Sequence, residues 1–258
     1  MKGDRGMTTR ELALQLEIHP DTITALEQYW CAPDACDNVP LADLAWILEA
    51  VLPIREQYAR LGIPESIYWD TVKDIRIWAE DYREKTGCHG VLKRGWLSNI
   101  PQMRIFRIGR VQYIPEPLEY DVVIGDKKYP KGMEVLGMHI PAGEPLDATA
   151  VQESLTSVKA FYETYFGKEY TVVLCRSWLL APELRELLKP TSGIIGFQNL
   201  FTVYKAVPHI QAIERVFGEV QEDAANYPET TSLQRSLKAY LLAGKQTTMG
   251  CGIIALPD

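Results

Sequence analysis

Near residue 100 the apolar residues stop recurring every three to four positions and begin to alternate, so one chain must accommodate a helical part and a sheet-forming part. Before that point the signals are helical. Thr8 followed by Glu11 is a capping-box pattern ahead of Leu12, Leu14 and Leu16, and Pro20 with Asp21 opens a second helix through Ile23, Leu26 and Tyr29. Residues 41 to 60 put Leu44, Ile47, Leu48, Val51 and Leu52 on one stripe, interrupted at Pro53, and residues 65 to 84 repeat the period with Ile67, Trp69, Val72, Ile75 and Trp78. Trp30, Trp46, Trp69, Trp78 and Trp96 all fall here, and their helix-compatible positions predict a structural core rather than a cofactor cage.

Beyond residue 100 strands are predicted. Residues 104 to 107 and 111 to 114 flank Ile108, Gly109 and Arg110 as a hairpin, and residues 120 to 124 and 133 to 140 add strands separated by Gly125 and Asp126. Asp147 caps a long helix that buries Val151, Leu155, Val158, Phe161, Tyr162 and Tyr165, and residues 170 to 175 form a short buried strand that completes a βαβ unit. Pro182 starts a brief helix through Leu188. Residues 193 to 201 read as a strand, 210 to 217 and 232 to 242 as helices, and 252 to 256 as a closing strand. The expected class is α/β (α+β), with a helical N-terminal domain over residues 1–99, its end falling as late as ~130, and a mixed β-sheet flanked by helices over 100–258.

Charge narrows the function classes. With 27 basic and 34 acidic residues the net charge is −7, which argues against a polyanion-binding surface. The acidity is concentrated in the helical part, where 11 basic and 16 acidic residues leave −5; the remaining 16 and 18 leave −2. The segment from Glu11 to Leu26 has a helix-turn-helix outline, but residues 20 to 30 contain Asp21 and Glu27 and no Lys or Arg. A recognition helix needs donors for base edges and cations for phosphates, so a packing unit is the better reading and no nucleic-acid partner is expected. No segment approaches the ~18 apolar residues of a membrane span, and no apolar stretch follows Lys2, Asp4, Arg5 and Arg10 to make a secretory signal. Five irregularly spaced cysteines suit reduced thiols, and the protein is expected to be cytoplasmic. Cys31, Cys36 and the adjacent Cys88 and His89 do not match zinc-ligand spacing, so no metal is expected.

The chemistry-bearing residues gather at the carboxyl ends of the βαβ strands. Residues 133–140 and 170–175 should lie parallel and adjacent, which brings His139 and Cys175 to one crevice, followed by Ser177 and Trp178. The helix after Asp147 should aim its amino terminus, with unpaired N–H groups, at the same place.

Four ordered motifs in this region resemble a bacterial acyltransferase family that has a helical N-acyltransferase N-terminal domain and a GNAT-like C-terminal domain. They are His139 to Asp147 (HIPAGEPLD), Val173 to Leu180 (VLCRSWLL) with Pro182, Ile194 to Gln198 (IIGFQ), and Thr231 to Arg235 (TSLQR) before Ala243 and Gly244. The likeness extends from about residue 65 and is strongest over 132–258. It implies a GNAT-like sheet, no tightly bound cofactor, and acyl-CoA or acetyl-CoA as co-substrate entering between the strands 133–140 and 170–175. The loop 141–146 is then the implied pyrophosphate cradle, with Ile140, Ala142, Gly143 and Gln198 as cofactor-binding residues. That loop departs from the usual pattern, since Pro141 and Pro145 donate no N–H and Glu144 is anionic.

The implied reaction is direct transfer of an acyl group from a small-molecule thioester to an amine acceptor. His139 is the expected base, Ser177 or Tyr204 the donor to the departing thiolate, and Cys175 a bystander in direct transfer or a nucleophile in a ping-pong variant. Two alternatives stand beside it. One is a hydrolase using Cys175 with His139; the other is a non-catalytic ligand-binding module with a degenerate site.

Overall fold

The computed structural model describes residues 6–33 and 37–256, and within it the chain divides into two compact units. The first runs to Ile114 and also takes in Ile140–Gly143; the second comprises Pro115–His139 and the chain from Glu144 onward.

The first unit begins with α1 (Thr9–Gln15), α2 (Pro20–Cys31), α3 (Val39–Val51), α4 (Ile54–Leu61), α5 (Glu65–Thr86) and the single turn α6 (Arg94–Leu97). The capping box is present: Glu11 N donates to Thr8 Oγ1, and Thr8 N donates to the Glu11 carboxylate at 2.7 Å. The stripe at 41 to 60 becomes two helices because Pro53 has no N–H to continue the first. Leu12, Leu26, Leu44, Ile47, Leu48, Val72 and Ile75 are fully buried.

Tyrosine, not tryptophan, supplies the large core side chains. Tyr58, Tyr68 and Tyr113 are buried, whereas none of the five tryptophans is, and Trp46 is 38% exposed. The expectation of a tryptophan core is therefore corrected. Trp78 and Trp96 each direct an indole N–H at the buried Asp74, at 3.2 and 2.7 Å, so their polar edges have work that a wholly apolar core could not give them. The unit ends in a hairpin of β1 (Phe106–Ile108) and β2 (Val111–Pro117), paired through Ile108↔Val111. Arg107 N donates to Thr71 Oγ1 on α5 at 2.9 Å. β2 carries the chain across the division, its last three residues belonging to the second unit.

The second unit continues with β3 (Val122–Ile124), β4 (Lys127–Tyr129), β5 (Glu134–His139), α7 (Ala148–Phe166), β6 (Val172–Ser177), α8 (Leu184–Leu187), α9 (Gly193–Gln198), β7 (Thr202–Pro208), α10 (Gln211–Phe217), α11 (Ser232–Leu242) and β8 (Thr248–Ala255). Short 3₁₀ turns cover Trp178–Leu180 and Ala224–Asn226. Its sheet runs β5-β6-β8-β7: β5 and β6 are parallel, and β8 pairs antiparallel with both β6 and β7. Val135, Val172, Leu174 and Ile253 form a core with Leu118 and Val122 on one face.

Two strand expectations change. The strand expected at 120 to 124 is present as β3, but its partner across Gly125 and Asp126 is an unexpected short strand, β4, and the two form a sheet of their own. Residues 193 to 201 are not a strand: α9 occupies Gly193–Gln198, and the strand lies later, at 202–208. A short apolar run such as Ile194, Ile195 and Phe197 fits a buried helical turn as well as a strand, and tertiary packing of Ile195, Phe197 and Gln198 decides it.

Candidate functional site

Parallel β5 and β6 pair through Leu136↔Val173, Gly137↔Leu174 and Met138↔Cys175, and their pairing ends there. β6 nevertheless remains paired to β8 as far as Ser177↔Gly250. At the carboxyl end β6 thus keeps one neighbour and parts from the other, and the residues next in line are His139 and Arg176. Because side chains alternate along a strand, Gly137 and His139 share a face with Leu174 and Arg176, while Met138 and Cys175 point to the opposite face.

The His139 face is polar. Arg176 Nη2 donates to Glu116 Oε2 at 2.9 Å and Nη1 lies 3.3 Å from Glu119 Oε1, so one guanidinium spans two carboxylates. Glu116 reaches this position over Gly137, where a Cβ would stand 2.6 Å from Glu116 Oε1. Burial raises the Glu116 carboxyl above its usual range, against the opposing charge of Arg176. Burial, helped by Arg176, pulls the His139 imidazole down to about 4. At neutral pH the ring is therefore uncharged.

The other expected site residues are distributed as follows. Ser177 is buried at the end of β6, and its Oγ accepts from Leu179 N at 3.2 Å, capping the 3₁₀ turn that follows; it follows Arg176 in extended backbone and so lies on the face opposite His139, which corrects its expected role as donor to the thiolate. Tyr204 lies on β7, at the irregularity between Val203↔Gly252 and Lys205↔Cys251, with its ring edge-on to Tyr120. Burial and the neighbouring Tyr120 push the Tyr204 phenol upward, so it stays protonated. Cys175 is 1% exposed and turned away from His139, and burial raises its thiol strongly. That corrects the placing of Cys175 beside His139 in one crevice: the strands are adjacent, but the register puts the two side chains on opposite faces. Its burial and raised thiol count against Cys175 as the nucleophile of the ping-pong variant or of the Cys/His hydrolase.

Gln198 is 1% exposed and donates both amide hydrogens, to Leu179 O and Ala181 O at 2.9 Å each, clamping the turn after β6. Of the loop residues, Ala142, Gly143 and Glu144 are exposed, and Arg110 Nη1 donates to Pro141 O at 3.1 Å. Ile140, Ala142 and Gly143 group with the first unit. The α7 amino terminus is already capped, since Thr149 N and Ala150 N both donate to Asp147 Oδ1, at 2.7 and 3.4 Å. The expectation of unpaired N–H groups there is corrected for these two. Among the described residues no group of three or more His, Cys, Asp or Glu side chains could hold a metal ion; Cys36 lies outside them.

Sequence reasoning missed Arg176, Glu116, Glu119 and Gly137. The ion pairs join residues about sixty positions apart, which no local pattern reports. Gly137 was the available signal, because a glycine inside an apolar strand marks a close approach.

A family model described as a GNAT-like C-terminal domain matches residues 105–254, and a second, described as an N-acyltransferase N-terminal domain, matches residues 7–103. The chain belongs to the GNAT-like C-terminal domain family. Solved structures similar to this GNAT-like chain include an acyltransferase in complex with decanoyl-CoA, 29% identical, with a TM-score of 0.71 over 83% of this chain and 66% of that one. Another is an acyltransferase in complex with CoA and 10C-teicoplanin, 27% identical, with a TM-score of 0.70 over 82% of this chain. The chain spans 65% of the length of that protein. An acyltransferase in complex with decanoyl-CoA and teicoplanin matches over 98% of this chain and 89% of that one, with a TM-score of 0.79; at 24% identity it carries the fold alone. No curated protein matches the chain.

Proposed function

We propose that the protein transfers an acyl group from an acyl-CoA thioester to an amine. The observation that carries this reading is the parting of parallel β5 and β6 at Met138↔Cys175, with an uncharged His139 next in line. The CoA and acyl-CoA complexes of the similar acyltransferases support the donor class. The 10C-teicoplanin bound in the 27%-identical acyltransferase supports an acceptor of substantial size.

In this reading the amine nitrogen attacks the thioester carbonyl carbon, the carbonyl oxygen becomes an oxyanion, and the C–S bond then breaks to release CoA thiolate. As the C–N bond forms, the nitrogen becomes far more acidic than a free ammonium, so a weak base suffices to take its proton. His139 accepts that proton. Tyr204 holds the departing sulfur by a hydrogen bond, and the proton on His139 finally neutralises the thiolate. No step passes through Cys175.

The test is release of free CoA thiol from octanoyl-CoA in the presence of primary amines, with the acylated amine identified by mass spectrometry. His139→Gln is expected to lower kcat by roughly 10²–10⁴-fold, the usual contribution of a positioned base. A His139→Gln protein that turns over at the full rate removes His139 from the scheme, and wild-type protein that acylates no amine removes the reading itself.

A further inference from the structure

We propose that Glu116, seated over Gly137, and Arg176 form a positioning pair for His139, the carboxylate fixing the guanidinium beside the imidazole where β5 and β6 part. The argument starts from register. Met138 and Cys175 are opposite one another, so His139 and Arg176 come next on parallel strands and on the same face. An unrestrained arginine at a strand end would extend toward water, because its charge is costly to bury and its rotamers are many. Here both terminal nitrogens are engaged, by Glu116 from β2 and by Glu119 just beyond it. The Glu116 carboxylate stands where any side chain at position 137 would be, so Gly137 is a structural requirement of the pair.

The pair makes opposing electrostatic contributions to the ring. In the second unit the charged groups on this face are Arg176 and Lys205 as cations and Glu116 and Glu119 as anions; Tyr120, Tyr204 and Cys251 share it. Lys205 is turned to the Tyr120 ring, its Nζ 4.5 Å from the ring centroid. Within this unit that leaves Arg176 as the cation that acts on His139, and Glu116, at 2.9 Å, as the nearest counter-charge of Arg176; Arg110 of the first unit donates to Pro141 O. Removing Arg176 should make the imidazolium easier to form, and removing Glu116 should make it harder. Loss of packing alone would move both variants in one direction, toward the ordinary histidine value, by admitting water.

The catalytic consequence rests on His139 being the base of the proposed transfer, but the positioning itself does not, and the test separates the two. The His139 ring proton is titrated by NMR in the full chain, assigned by its disappearance in His139→Gln, for the wild type, Arg176→Met, Arg176→Lys, Glu116→Gln and Gly137→Ala. The expected result is a rise of about one pH unit in Arg176→Met, recovery in Arg176→Lys, and a fall in both Glu116→Gln and Gly137→Ala. Shifts in the same direction for Arg176→Met and Glu116→Gln, or none in either, overturn the pair. If Arg176→Met does not fold, the falls in Glu116→Gln and Gly137→Ala decide the question, and their absence overturns it. The acid limb of kcat/KM for CoA release from octanoyl-CoA should follow the NMR values. Opposite NMR shifts with a rate profile that ignores them uphold the pair and remove His139 as the base.

Discussion

His139 connects stability to pH through its surroundings. Its value near 4 in the fold lies below the ~6.5 of an exposed imidazole. Between these two values the unfolded chain binds a proton that the native protein refuses, so stability rises with pH across the window and is lost as pH falls from about 6.5 toward 4. The contribution is up to about 3 kcal/mol, at 1.36 kcal/mol per unit. Subtracting the stability-against-pH curve of His139→Gln from that of the wild type should isolate it; parallel curves between pH 4 and 6.5 would contradict the depressed value. The thiols give a second residue-scale prediction. Cys31 and Cys88 are exposed and Cys175 and Cys251 buried, so a thiol reagent followed by peptide mapping should label the first two at once and the second two only in denaturant. Rapid labelling of Cys175 in the native protein would return the hydrolase to consideration. The sequence made His139, Ser177 and Tyr204 visible as chemistry-bearing types but could not weigh Cys175, because accessibility and strand face are set by packing and register. Arg176 and Glu116 were invisible for the opposite reason: an arginine after an apolar strand and a glutamate between two prolines are ordinary until the fold brings them within 2.9 Å.

At the scale of elements, the turn Trp178–Leu180 fixes the exit of β6, and β8 is shaped to receive it. A Cβ on Gly250 would lie 2.2 Å from Leu180 O, a backbone atom that cannot rotate away. Gln198 ties the same turn from α9, and Glu183 accepts from Thr248 N at 2.6 Å and Thr248 Oγ1 at 2.8 Å to hold the start of β8. Gly250→Ala is therefore expected to cost about 1–3 kcal/mol by overpacking and to lower activity further by shifting the end of β6, where Arg176 precedes the register partner Ser177. Chemical denaturation of the variant measures the first effect, and an unchanged midpoint would mean that the strands separate at no cost. This element also shows where sequence reading stops. Caps and breakers such as Thr8, Pro53 and Asp147 act through backbone atoms within a few residues, and the helices they delimit were legible. The run 193 to 201 was misread because its helix is selected by contacts to α7 and to the turn after β6, neither of which its own spacing encodes. The tryptophan pattern misled for a related reason: helical spacing identifies a face but not how deeply each side chain on it is covered, and Trp78 and Trp96 reach the buried Asp74 with their N–H edges while part of each ring stays exposed.

For the whole molecule, the change of period near residue 100 corresponds to two family matches that meet between residues 103 and 105. The compact units divide slightly later, within β2, because a hairpin completes the helical core before the main sheet begins. If the proposed anionic donor binds, a chain of net charge −7 must gain most of that binding from somewhere other than long-range attraction. The loop 141–146 contributes two prolines without N–H groups and the exposed Glu144, and Asp147 already engages two amides of α7. Phosphate contacts should therefore be modest, and the acyl chain should supply the difference, at roughly 0.8 kcal/mol per buried methylene. The expected order of thermal stabilisation is decanoyl-CoA and octanoyl-CoA above acetyl-CoA, with CoA alone weakest. At a hundredfold excess over Kd a ligand adds about 2.7 kcal/mol, which for a chain of this size raises Tm by about 5–10 °C. The order should persist at raised salt, because an apolar contribution is not screened whereas a phosphate contribution is. Equal shifts for CoA and decanoyl-CoA, both abolished by salt, would place the affinity in the phosphates instead; no shift with any of the four at millimolar concentration would leave the parted strands without the donor proposed for them.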